Sequence, residues 1–524
     1  MKRRNVVQAI GGAAVAGTAV IATGNLAYAK QDTENTGSTD DALAFDPDSY
    51  EELTTTVTTS AGDQEIAYRF YKNLVYVAYP VDEAYQSLNI SVPTEINGDA
   101  VDAADAPIVL ANSIGGYLSS SVAEATGIGA GGMGGGMTPP GAGDDTAGSD
   151  DLQNGIEAAA GNAQYALAAG YVVVEPGARG RDLTDDEGAY YGVAPAAIVD
   201  LKAAVRYLRR NQDTIPGDTD RIVSSGTSAG GALSALLGAS GDAKQYDSYL
   251  EEIGAADESD AIFASGDWCP ITDLEHADGA YEWAYGSLAT QDGATLDTAV
   301  TEDLAGQFAS YQKKLGLSGG KGYKSLTADN LGDYMTETYL RPSAATYLSD
   351  LSDTDRDAYL AEQGWIAWDG EEASFTWDDF AAYLGTRKKT QPAFDAFDLS
   401  AGENNEFGTG ATAARHFTTY SLRQDTGDDG AELDEDIPEL LNLMNPMYFI
   451  GKRNRKRAKH WWIRVGTKDT DTSMTVTVNL AASLANLGDD VDLSMYWDAG
   501  HGANEDPEAF IAWIAEATGY SGSK

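Results

Sequence analysis

A short strand-like run, Arg221-Ile222-Val223, leads within a few positions into Gly226-Thr227-Ser228-Ala229-Gly230, and an Ala/Leu-rich stretch, Ala232 to Leu237, follows at once. Strand, glycine-flanked serine, helix is a severe constraint on a chain. The serine must sit on a strained turn that lifts its hydroxyl above a sheet, and the flanking glycines let backbone and helix approach closely. With 58 glycines in 524 residues the pattern can arise by chance, so its meaning depends on its surroundings. The chain must also supply a sheet, a base, an acid and an oxyanion site, in a workable order.

The sheet is legible on both sides of the turn. Leu53 to Thr59, Glu65 to Pro80 and Gln86 to Pro93 carry β-branched and aromatic residues between turn signals, and read as antiparallel opening strands. The style then changes to short continuous apolar runs, Pro107 to Ala111 and Tyr171 to Glu175, which suit buried parallel strands. Helical spacing marks Glu157 to Ala169 and Ala194 to Arg210, where Ile198, Leu201, Val205 and Leu208 share a face. Asp260 to Gly266 reads as a further strand. The alternation resumes late, with strands at Trp461 to Val465 and Val491 to Trp497 and helices at Ser473 to Leu487 and Ala509 to Thr518. Alternating strand and helix implies an α/β fold with a mostly parallel sheet. Between the two blocks the rhythm is lost, and helix-like segments such as Thr301 to Leu315 and Ser343 to Leu351 imply a large, mainly helical insertion over the sheet. The expected organisation is a signal peptide at 1–29, a flexible N-terminus at 30–50, core at 51–270, a lid insertion at 271–445, and core again at 446–524. A glycine-rich excursion at 124–155 reads as a mobile surface loop.

Charge excludes some partners. With 34 basic and 82 acidic residues the formal net charge is -48, which repels phosphate backbones and anionic membranes, so no nucleic-acid partner is expected. Lys2, Arg3 and Arg4, the small-residue and apolar stretch Val6 to Thr23, and Ala27-Tyr28-Ala29 have the form of a cleavable export signal, possible also as a twin-arginine type. A secreted or surface-held protein, with no membrane insertion after cleavage, is expected. The single cysteine, Cys269, reads as a buried small hydrophobe. The acidic run Asp425 to Asp436 fits a calcium loop poorly because Gly427 stands at an early ligand position; no metal or cofactor is expected. The basic run Lys452 to Lys459 reads as solvated surface.

In an open α/β sheet, reactive residues sit on loops at the carboxyl ends of strands. Three such loops carry Ser228, then Asp469 or Asp471, then His501, in the order Ser, Asp, His. Of four histidines, His460 opens a strand at the wrong end, and His276 and His416 fall in the insertion; His501, between glycines after the last strand, is the one placed to serve a serine. Such a set performs acyl transfer. An oxyanion needs two N–H donors: Ala229, which follows the serine, and Gly115 in the loop Ser113 to Gly116 after the Pro107 to Ala111 strand.

The segments GTSAGG, GARGRD, APAAIVDLKAAVRYLR, PAFDAFDLSAGEN, ARHFTTYS and GTKDTDTS together resemble bacterial tannases of the α/β-hydrolase superfamily, over the chain from about residue 50 to its end. The resemblance implies a serine esterase acting on galloyl esters, small molecules, through Ser228, Asp469 and His501. It also implies that Asp471, Lys389 and Glu403 hold the galloyl hydroxyls, with Lys388 and Glu406 as the neighbouring choices of register. Carboxylates accept from phenolic hydroxyls and a lysine donates to their oxygens, so the residue types suit the ring. A feruloyl or general carboxylesterase on the same scaffold is the alternative, and a non-catalytic polyphenol-binding surface protein a third reading. Oligomeric state is not legible.

Overall fold

The computed structural model describes residues 42–130, 158, 160–520 and 522. The expected signal peptide and most of the glycine-rich excursion lie outside the described residues.

Ten strands form one sheet. β1 (Glu51–Thr59), β2 (Gly62–Val75) and β3 (Ser87–Ile96) run antiparallel, with the two-residue β4 (Asp99–Ala100) attached to β3. β3 pairs antiparallel with β6 (Val172–Pro176). From there the pairing is parallel through β5 (Pro107–Ala111), β7 (Asp218–Thr227), β8 (Ala264–Trp268), β13 (His460–Gly466) and β14 (Asp490–Tyr496). The apolar runs are strands because they are buried on both faces. Ile108 and Leu110 enter one hydrophobic cluster with the helices Ala196–Arg210 and Ala229–Ala239, while Val109 and Ala111 enter another with Phe510 and Ile514 of the helix Pro507–Thr518. That period of two makes a three-layer fold. It is the expected mostly parallel α/β architecture, with antiparallel opening strands.

The stretch expected as an insertion lies between β8 and β13. It contains the helices Leu274–Tyr285, Thr298–Leu315, Arg341–Asp350 and Trp377–Leu384 and two small ribbons: β9 (Ala289–Thr290) paired parallel with β12 (Thr386–Arg387), and β10 (Ala367–Trp368) paired antiparallel with β11 (Ala373–Ser374). No helix among the described residues is long and apolar enough to cross a membrane.

Three local readings need correction, and a fourth segment, the acidic run, acquires an ion-pair partner. The strand expected at Asp260 to Gly266 starts later, at Ala264, because the Asp260 carboxylate is held by Lys202 and Arg206 at 2.7 Å each and serves as an anchor below the sheet. The stretch expected to be flexible up to residue 50 is docked from Leu43. Asn211 accepts from Phe45 N and donates to Leu43 O, and both side chains are buried. The acidic run after Asp425 uses a guanidinium as its cation: Arg415 bonds Asp434 and Asp436 at 3.0 and 2.8 Å. In the basic run, Arg457 is buried rather than solvated, and it grips Asp489 with two hydrogen bonds of 2.5 and 2.8 Å.

Candidate active site

Register brings the strand ends together. Thr227 pairs with Trp268, Trp268 with Arg464, and Gly466 with Tyr496, so β7, β8, β13 and β14 all finish on the same side of the sheet. The residues just past those ends are Ser228, Cys269, the loop from Thr467, and the loop that carries His501.

Ser228 has φ 60° and ψ -122°, a left-handed conformation that costs a serine about 1–3 kcal/mol. The surroundings enforce it. Ser228 N donates to Trp268 O at 2.9 Å, and the helix Ala229–Ala239 starts at the next residue. Glycine is required on either side: a Cβ on Gly226 would collide with Gly230 O and Asn112 Nδ2, and one on Gly230 would stand 2.5 Å from Asn112 Oδ1 and 2.7 Å from Ile114 O. The sharp turn therefore depends on those two glycines.

The strained turn aims the hydroxyl at an imidazole. His501 Nε2 lies 2.8 Å from Ser228 Oγ, and His501 Nδ1 lies 2.8 Å from Asp469 Oδ2. Spacing had left Asp469 and Asp471 open. Geometry separates them, because Asp469 is buried against the imidazole and its other oxygen accepts from Asp471 N at 2.9 Å, whereas Asp471 turns to Lys388. Burial disfavours the charged imidazole, but the Asp469 carboxylate, helped by Cys269, more than offsets it and holds the His501 pKa well above the ordinary histidine value.

Cys269 is buried within a hydrophobic cluster, as expected, and it also borders the imidazole. Its Sγ lies 4.0 Å from His501 Nε2, on a backbone with φ 37° whose N–H donates to Arg464 O. Only the β8–β7 register reveals this neighbour. Cys269, Asp469 and His501 are also the group with metal-ligand spacing among the described residues, their ligand atoms lying within 4.8 Å of one another. Two of the three are already joined by the His501–Asp469 hydrogen bond.

The loop after β5 is fastened to the elbow. Asn112 Nδ2 donates to Ser225 O, Gly230 O and Ser234 Oγ, and Arg181 Nε donates to Gly116 O at 2.8 Å. Gly115 is thus carried beside the start of the elbow helix, where Ala229, at the first position, has an N–H with no intrahelical acceptor. The GARGRD segment owes its residue types to these fastenings: Arg179 pairs with buried Asp200, Arg181 holds Gly116, and Asp182 accepts from Ser119 N and Oγ.

Insertion residues border the same loops. Lys389 Nζ lies 3.4 Å from Glu403 and 4.0 Å from the centre of the Phe394 ring, while Lys388 Nζ lies 2.9 and 3.1 Å from the two oxygens of Asp471. Among the two choices of glutamate, Glu403 is the one paired with Lys389. Glu406 is buried with both carboxylate oxygens unpartnered, and burial pushes its pKa well above the carboxylate range despite the Arg181 charge. The other histidines take packing roles: His276 bonds Asp273, His416 bonds Asp395, and His460 bonds Asp490 at the amino end of β13. The sequence reading missed Lys388 as a partner of Asp471, and missed Tyr281 and Tyr285. The tyrosine hydroxyls donate to Thr470 O and Asp469 O at 2.6 and 3.1 Å, and nothing in a helical run of aromatics marks them for this.

Known proteins resemble the chain at several levels. The family model described as BD-FAE matches residues 149–307. A 77-residue stretch is 40% identical to Esterase LipC of Mycobacterium tuberculosis, covering 14% of this chain and 19% of that protein's length. Over nearly the whole chain, the structure of Fusobacterium nucleatum tannase superposes with a TM-score of 0.73 at 35% identity, covering 91% of this chain and 99% of the other. Tannin acyl hydrolase from Lactobacillus plantarum gives 0.74 at 33% identity, with 92% and 100% covered. A tannin acyl hydrolase structure in complex with ethyl gallate gives 0.74 at 33%, with 91% and 99% covered.

Proposed function

The chain belongs to the tannase family of α/β-hydrolases and is a carboxylic ester hydrolase, and on that premise we propose that it is an exported enzyme that hydrolyses galloyl esters to gallic acid and an alcohol. Export is supported by the basic, apolar and A-x-A sequence of residues 1–29. The observation that supports the substrate is a pair of ion pairs beside the Ser228–His501–Asp469 cluster, Lys388 with Asp471 and Lys389 with Glu403, the first of which begins two residues from Asp469. These side chains offer acceptors and a donor to adjacent phenolic hydroxyls, the groups that distinguish a galloyl ring from a plain benzoyl one. The insertion that supplies Lys389 and Glu403 serves as the lid.

In this reading Ser228 Oγ attacks the ester carbonyl as its proton passes to His501 Nε2. Ala229 N–H and Gly115 N–H donate to the oxyanion. Collapse of the tetrahedral intermediate expels the alcohol, which takes the proton from His501 and leaves galloyl-Ser228. Water then attacks that ester with His501 again as base, releasing gallic acid and the free serine. Asp469 orients the imidazole and stabilises its cation throughout.

Comparison of methyl gallate, methyl ferulate and methyl benzoate tests the substrate. A site built on buried hydroxyl partners should favour gallate over benzoate in kcat/KM by at least about 100-fold, with about 10^4 as an upper range. Equal rates on gallate and ferulate would instead make the chain a feruloyl or general carboxylesterase. No hydrolysis of any ester would favour a polyphenol-binding protein.

The raised pKa of His501 sets a second expectation. The base must be neutral to act, so the acid limb of the kcat/KM profile, which reports the free enzyme, should lie above pH 6.5. Because Cys269 contributes to the upward shift, Cys269→Ala should move the limb to lower pH. A pH–rate series on both proteins checks this, and a wild-type limb below pH 6.5 contradicts it.

A further inference from the structure

Lys388 is not explained by acid–base chemistry or by the three residues assigned to the ring hydroxyls. Its placement is nevertheless strongly determined. Arg387, which precedes it, is buried, pairs with Glu282 at 2.6 Å, donates to Lys389 O and Thr390 O, and lies over the Tyr281 ring. Lys389, which follows it, donates its N–H to Tyr281 Oη at 3.1 Å. The same hydroxyl donates to Thr470 O, between Asp469 and Asp471. One tyrosine therefore ties the two-lysine strap to the triad loop and fixes their spacing. From that strap the lysines diverge to two carboxylates, Lys388 to Asp471 and Lys389 to Glu403.

We propose that Lys388 is a positioning residue for acyl recognition: its ammonium, shared by both oxygens of Asp471, aims that carboxylate at a ring hydroxyl. The inference rests on the galloyl reading of the site. Asp471 stands two residues from Asp469, so two like charges share one short loop, and Lys388 supplies a countercharge to Asp471. An ionised carboxylate has about four lone-pair sites. Lys388 occupies about two and leaves the others for a phenolic O–H. Both side chains are about one-fifth exposed or less, so neither is buried out of reach of a ligand and neither has the rotational freedom of a surface pair.

Steady-state kinetics of the full chain and its Lys388→Met and Lys388→Arg variants on methyl gallate, methyl 3,4-dihydroxybenzoate and methyl benzoate test this. Methionine keeps the apolar stem and removes the charge. The expected result is a KM for methyl gallate raised about tenfold or more in Lys388→Met with kcat changed by less than about threefold, as for loss of one charge-assisted contact made in ground and transition states alike. The rise should shrink for the dihydroxy ester and vanish for methyl benzoate, and Lys388→Arg should recover most of it. An unchanged KM for methyl gallate overturns the proposal, as does an equal loss on all three esters, which would mark Lys388 as a packing residue. Absence of any preference for gallate in the wild-type enzyme is a different failure; it removes the galloyl reading itself, and this inference with it.

Discussion

Ser228→Ala should lower kcat on methyl gallate by on the order of 10^6 while KM changes little, because the nucleophile of such a set acts in the transition state and contributes little to ground-state binding. The variant should still fold. Alanine in the left-handed conformation of residue 228 is strained much as serine is, and the glycines that make the turn possible remain. What survives is catalysis by the oxyanion donors and by binding, about 10^3 to 10^4 over water. Cys269 gives this experiment a built-in control. Its sulfur lies 4.0 Å from the same imidazole nitrogen that accepts from the serine, so it is a second nucleophile near the base. Residual ester hydrolysis above that range, lost on adding Cys269→Ala, would transfer part of the chemistry to the thiol. Robust activity in both the single and the double variant would remove Ser228 from the nucleophile's role altogether.

The sheet was legible in the sequence because burial on both faces leaves an unambiguous trace. Pro107 to Ala111 has no polar position, and its bounds agree with β5 residue for residue. Where a polar residue sits in such a run, its role is decided elsewhere: Asp260 resembles a strand opener until Lys202 and Arg206, some 60 positions away on a helix, claim its carboxylate. The clustering of Ser228, Asp469 and His501 was legible for a topological reason, since strand order fixes which loops share an edge, and scarcity of histidine left one imidazole in the right place. What lay beyond the sequence is contact across that edge. Cys269 follows β8 and Ser228 follows β7, and only the pairing of Thr227 with Trp268 makes them neighbours. In the same way the lysine doublet at 388 and 389 carries no mark saying which ammonium meets which acid. That division depends on a tyrosine hydroxyl more than 100 residues upstream.

Asp469→Asn and Asp471→Asn should produce opposite kinds of defect, although the two residues are separated by one threonine. Asp469 is buried, accepts from His501 Nδ1 at 2.8 Å, and has its backbone carbonyl held by Tyr285. An asparagine there keeps the shape but can turn its amide N–H toward the ring, which selects the tautomer with the proton on Nε2 and leaves no lone pair for the serine proton; the expected loss in kcat is about 10^4. It also removes the charge that overcomes burial at His501, so the acid limb of whatever activity remains should fall to lower pH. Asp471 touches neither the base nor the nucleophile. Its replacement should leave kcat on methyl benzoate near the wild-type value and raise KM for methyl gallate, since the hydroxyl then meets an amide that accepts more weakly and a Lys388 ammonium without its counterion. Steady-state kinetics of the two variants on the two esters separate the roles. If Asp471→Asn lowered kcat on both esters as far as Asp469→Asn does, acid and acyl recognition would not be divided between these positions, and the D-T-D loop would have to act as one unit.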